Sequence, residues 1–173
     1  MVSWIEGEDY TTSSDKYNLI WKEFSELISE VPRGSLESHS TLVKNYLTYN
    51  SPNIKLNELS QNCLDQFLIL PDMEDTALIH GDFHKMNLLR TDIGIAVIDW
   101  EYSCWGNPEF DLAYLYAYDL QTPRGISIVE SVRALLVMTM WFIRRADSGG
   151  NYSMNYSLAS RYLKKAKTYW QKF

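Results

Sequence analysis

Apolar residues recur at helical spacing through Tyr17, Ile20, Trp21, Phe24, Leu27 and Ile28, behind a possible N-cap at Ser13 or Ser14. This predicts an amphipathic helix over 14–30, stopped by VPRGS. A second helix is predicted over about 36–49, broken by SPN, and a third over about 57–69, ending before Pro71. The period then shortens. TALIH and NLLR are brief apolar segments, TDIG is a turn, and the β-branched IAVID reads as a buried strand. SCWGNPE reads as a loop. FDLAYLYAYD, a long helix near 125–146, a DSGGN break and a last helix near 156–171 complete the chain. The outline is α+β and predominantly helical, with a small β element in the middle.

Set between the short apolar segments is HGDFHKMN, residues 80–87. Two histidines, an aspartate, a lysine and an asparagine there are costly to bury unless they have partners or a task. The composition narrows the task. A 46% hydrophobic and 22% charged chain of 173 residues can build a core and is too apolar for a disordered one. A net charge of −6 excludes non-specific binding to a nucleic-acid backbone. Cys63 and Cys104 form no C-x-x-C pair and are too few for a disulfide scaffold, which points to a reduced, cytoplasmic setting. No basic-then-apolar leader opens the sequence, so no signal peptide is expected. The longest apolar run, ALLVMTMWFI (134–143), is far short of the ~20 residues that span a bilayer. It reads as a buried helix, and no membrane partner is expected.

Asp82, Asn87 five residues later, and Asp99 at the end of the next strand can converge on one cleft. Asn87 and Asp99 offer the oxygen ligands that Mg²⁺ prefers. Asp82 is left to orient a hydroxyl and accept its proton, the division of labour that phosphoryl transfer needs. A competing arrangement, H-x-D-x-H over His80, Asp82 and His84, would suit a transition metal. Gly81 interrupts that strand, and His39 is the sole further histidine.

HGDFHKMN has the H-x-D-x-x-x-x-N spacing of the kinase catalytic loop, and IDWE stands where protein kinases carry D-F-G. The string LIHGDFHKMNLLRTDIGIAVIDWEYSCWGNPEFDLA resembles the aminoglycoside phosphotransferase and choline kinase group of kinase-like enzymes. The resemblance implies an ATP- and Mg²⁺-dependent phosphotransferase with Asp82 as catalytic base and Asn87 and Asp99 as metal ligands. It implies His80 as a structural residue of the loop and Asp111, in FDLA, as a brace for it. Taken alone, Asp82 could cap a turn, Asp111 could be a helix-start acid, and His84 reads as an exposed loop residue.

The same resemblance implies a two-lobed enzyme. The text before His80 holds no glycine-rich loop and no lysine-bearing strand; it is helical. WIEGEDY (4–10) resembles the string that closes the family's N-terminal lobe. The expected organisation is therefore a hinge segment at 1–10 and a kinase-like C-terminal lobe over 11–173, with a small β-hairpin carrying the catalytic loop. Such a lobe alone would lose most ATP contacts, so this polypeptide by itself is expected to show little or no turnover. A surface made for the other lobe would favour self-association. A non-catalytic binding module that keeps the acceptor pocket is the alternative.

Six tryptophans and twelve tyrosines are many for this length. Most must be core, but a few could enclose a cation. Tyr102 matches a position that helps surround a quaternary ammonium in choline kinases, and Trp141 is a further candidate. Arg144, three residues on, is a poor neighbour for a cation. Glu101 or Asp119 could balance an amine. A small cationic acceptor, choline-like or aminoglycoside-like, is expected.

Overall fold

The computed structural model describes residues 20–22, 24–26, 28, 35–92, 94–121 and 125–172. The expected hinge at 1–10 lies outside these residues, as does the first part of the helix expected over 14–30. The described positions within 20–28 are helical and bury Ile20, Phe24 and Ile28. Three helices then frame most of the molecule: α1 (His39–Leu47), α2 (Ile54–Leu68) and, further on, α3 (Glu109–Tyr118). They are followed by α4 (Ile128–Asp147) and α5 (Tyr152–Trp170). Asn53, Ser127 and Asn151 cap α2, α4 and α5, each accepting a backbone N–H of the first turn.

Between α2 and α3 lie four short strands, β1 (Ala77–Ile79), β2 (Leu88–Thr91), β3 (Gly94–Val97) and β4 (Cys104–Gly106). They form two separate antiparallel pairs. β1 lies against β4, with Ala77 opposite Gly106; β2 and β3 form a hairpin, with Leu88 opposite Val97. Residues 80–87 run from the first pair into the hairpin, ending in a single 3-10 turn (Lys85–Asn87). Two expectations change here. The segment read as the loop SCWGNPE contains β4, whose residues are all buried. Its partner is distant in sequence, so local turn signals hid it. The strand read as buried is only half-buried: Ile95, Ala96 and Val97 are all partly exposed.

α3 is central because it is apolar on nearly every face, and residues 110–117 are all buried. It separates two hydrophobic clusters. The larger gathers α1, α2, α4 and α5 around Phe110, Leu136 and Met140. The smaller joins Ile20, Phe24 and Ile28 to Leu112, Leu115, Leu88 and Phe83. Phe83 is fully buried and stacks on Phe24 at 4.7 Å, which fastens the polar loop into the core through its one aromatic residue. No helix among the described residues is long and apolar enough to cross a membrane. Cys63 and Cys104 are both buried free thiols.

Candidate active site

The polar side chains of residues 80–87 have partners. His80 is fully buried. Its backbone N–H donates to Asp111 Oδ2 at 2.7 Å, and the N–H of Gly81 donates to Asp111 Oδ1 at 2.9 Å. Asp111 sits in the first turn of α3 with no exposure, so both carboxylate oxygens are spent on the loop backbone. Burial pushes the Asp111 carboxyl up to about 7 against the pull of these two bonds. The His80 ring places Nε2 2.8 Å from the Ile98 carbonyl, tying the loop to the strand after it.

Asp82 follows this anchored turn. Burial raises its carboxyl, but hydrogen bonds from His84 and Tyr114, with His80 nearby, outweigh that and hold it below the usual range. It stays ionised near neutrality and can accept a proton. Asn87 Nδ2 donates to the Asp82 carbonyl at 2.9 Å and lies 3.3 Å from Asp82 Oδ2. That fixes which end of the amide faces Asp82 and leaves the side-chain oxygen for another electropositive partner. The Asn87 carbonyl accepts the Ile98 N–H at 3.0 Å, so Asp99 is one residue beyond a backbone pair with Asn87. Asp99 is exposed and has φ of +64°, a left-handed conformation that aspartate tolerates and that clusters at functional sites.

An amide oxygen and an exposed carboxylate on adjoining strand ends fit a hard cation that takes few protein ligands and completes its shell from phosphate and water. The H-x-D-x-H alternative does not assemble. His80 Nδ1 receives the Asp82 N–H at 3.3 Å while Nε2 meets Ile98, which leaves no ring nitrogen for a metal. Among the described residues no group of three or more His, Cys, Asp or Glu side chains is placed to hold a metal ion.

Asp82 opens onto a cavity of about 550 Å³. Tyr102, Trp141 and Glu101 line it, as do Tyr46, Tyr114 and Tyr118. Among the described residues its lining holds two carboxylates, Asp82 and Glu101, and no lysine or arginine. Tyr102 and Glu101 are exposed at its wall, where burial and then the Glu101 carboxylate push the Tyr102 hydroxyl up. Asp119 stands apart: it pairs with Lys85 at 2.8 Å and is not part of the lining, so it holds the loop instead of an amine. Arg144 lies 4.2 Å from the centre of the Tyr46 ring and Arg145 5.0 Å from that of Trp141. Two of the aromatic faces thus already have a cation.

Three residues escaped the sequence reading. His84 is not an exposed loop residue: it stacks on Tyr118 at 4.6 Å, lines the cavity and touches Asp82. Tyr114, buried to 4% exposure, lines the cavity beside Asp82, and burial together with that carboxylate holds its hydroxyl well above the usual range. Its spacing of one helical turn from Asp111 was the available signal, since both must face the loop if one does. His39 lines the cavity from α1 and packs on Phe110 at 3.9 Å; burial, then Arg133, drives its ring down to about 3. Nothing local marked His39.

Residues 39–141 match the phosphotransferase enzyme family. A LicA homolog from Mycoplasma capricolum is 24% identical over 115 residues, 65% of this chain and 48% of the relative. The chain therefore spans about half the length of that protein. A choline kinase from Cryptosporidium parvum superposes with a TM-score of 0.66 at 14% identity, covering 98% of this chain and 70% of that one. LicA in complex with AMP superposes with a TM-score of 0.65 at 17% identity, over 96% of this chain and 68% of that one. At these identities the likeness shows the kinase-like fold. With the family match covering more than half its residues, the chain belongs to the phosphotransferase enzyme family.

Proposed function

We propose that this chain is the acceptor-side lobe of an ATP-dependent kinase for a small cationic alcohol. Asp82 is the base and Asn87 and Asp99 are the residues that would hold Mg²⁺. Bound there, the metal would neutralise charge on the phosphates. The chain's own residues do the rest. An alcohol in the cavity places its O–H on Asp82, the oxygen bonds to the γ-phosphorus, the bond from that phosphorus to the ADP oxygen breaks, and the proton goes to Asp82. Holding the alcohol in line supplies most of the rate. The observation that carries the reading is the ionised Asp82 in the wall of an aromatic cavity whose lining, among the described residues, holds two carboxylates and no lysine or arginine. An amine or ammonium is the complement of that lining.

The rings that already face Arg144 and Arg145 favour an amine balanced by Glu101 over a fully caged quaternary ammonium. A thermal-shift series with choline, ethanolamine, thiamine and kanamycin, with neutral and anionic alcohols of similar size as controls, tests this. Stabilisation by at least one cation and none by the controls is expected, along with phosphorylated product when Mg-ATP is added to the complete enzyme. Stabilisation by anionic alcohols alone would overturn it.

A further inference from the structure

The two histidines of the loop use one local device. In each, ring Nδ1 accepts the backbone N–H two residues on: His80 from Asp82 at 3.3 Å, and His84 from Met86 at 3.2 Å. A backbone N–H can only donate, so Nδ1 must carry a lone pair and the ring proton must sit on Nε2. The device therefore aims an N–H along a fixed direction. For His80 the target is the Ile98 carbonyl, a structural tie. For His84 it is Oδ2 of Asp82, at 3.4 Å.

We propose that His84 is a positioning residue: a neutral imidazole, locked as the Nε2–H tautomer, that holds the Asp82 carboxylate in the orientation from which it meets the acceptor hydroxyl. It takes no proton from Asp82 directly, because the nitrogen that faces the carboxylate, Nε2, already carries the ring proton and has no lone pair in the ring plane. Tyr118 fixes the ring plane by stacking at 4.6 Å with the planes 19° apart. Tyr114, which lines the same cavity from α3, interacts with the same carboxylate. Asp82 is thus gripped from the loop and from α3, and Asp111, one turn before Tyr114, grips the backbone just ahead of it. The 3.4 Å separation is long, as catalytic hydrogen bonds often are before substrate arrives.

The role in catalysis rests on the kinase reading, while the tautomer does not, so two arms keep them apart. The chain holds three histidines, and a long-range ¹H–¹⁵N spectrum of the labelled protein resolves each ring. His80 and His84 are expected as Nε2–H tautomers, and Asp82→Ala should move the His84 Nε2 proton while leaving that of His80 in place. An Nδ1–H signal or tautomer averaging at His84 would overturn the proposal whatever the enzyme does. In turnover by the complete enzyme, His84→Phe keeps the stacking ring but has no donor. It should lower kcat about 10–100-fold with KM changed less than about 3-fold, and His84→Gln, which retains an N–H, should recover much of the loss. Equal loss in both variants, or a change confined to KM, would overturn the positioning role. No product from the unaltered enzyme with any cationic alcohol would instead sink the kinase reading, and the spectrum would still decide the inference.

Discussion

Gly81→Ala is the substitution whose consequence is most directly worked from the coordinates. Gly81 has φ of +80°, and a Cβ built there would overlap the Tyr102 carbonyl oxygen and lie 3.1 Å from its carbon. Holding alanine in the left-handed region costs about 1–2 kcal/mol. Relieving the contact requires the 101–103 turn to retreat by about 1 Å, since ordinary contact begins at 3.4 Å, and overpacking of that kind costs about 1–3 kcal/mol. The sum is about 2–5 kcal/mol, or roughly 5–15 °C in Tm for a chain of this size. Gly125 separates the two contributions: its φ is +73°, yet among the described residues nothing lies within 4 Å of its Cβ position. Gly125→Ala should lose only about 1–2 kcal/mol. Urea denaturation of the two variants beside the parent gives the difference directly. Gly81→Ala should also weaken acceptor binding, because the displaced turn carries Glu101 and Tyr102. If Gly81→Ala loses no more stability than Gly125→Ala, the close approach of the loop to Tyr102 is wrong, and so is the shape of the cavity beside Asp82.

Three further outcomes are expected. Phe83→Ala should destabilise the protein by about 3–5 kcal/mol in urea, because a fully buried ring stacked on Phe24 is removed. Lys85→Ala should cost less than about 1 kcal/mol, with the loss fading in high salt, because the Lys85–Asp119 pair is partly exposed. His39 titrates near 3 when folded and near 6.5 when unfolded. The unfolded chain therefore binds this proton first, and the stability His39 confers is complete above pH 6.5 and lost as pH falls toward 3. The loss reaches about 1.4 kcal/mol per pH unit. His39→Gln should flatten stability against pH across that window, and an unchanged slope would show that the ring is not buried neutral.

Periodicity located the long helices because each buries a stripe of its own sequence. α4 and α5 lie close to their expected spans, and the 36–49 and 57–69 predictions fall on α1 and α2 with shifted ends. The three-residue strand β4 was missed because such a strand carries no period; its partner across the sheet defines it. The site divides in the same way. Asp82, Asn87 and Asp99 could be singled out as candidates because residue type at fixed short spacing is a property of the chain itself. Lys85 claimed Asp119, and arginines claimed the Tyr46 and Trp141 faces, because a side chain answers to whatever charge the fold brings near it.

By itself the sequence determined the helical framework and the short β element, and it set the spacing of Asp82 and Asn87 in the loop and Asp99 after the hairpin, all of which are properties of neighbouring residues. The tertiary structure showed which atoms the expected Asp111 brace takes, the N–H groups of residues 80 and 81, and it alone decided that Tyr114, one turn on along α3, faces the carboxylate of Asp82. It also decided that His84 turns inward onto that carboxylate. Those contacts join residues far apart in the chain, or depend on a ring orientation set by stacking on another element. Their energies come from burial and hydrogen-bond geometry, which exist only once the chain has folded.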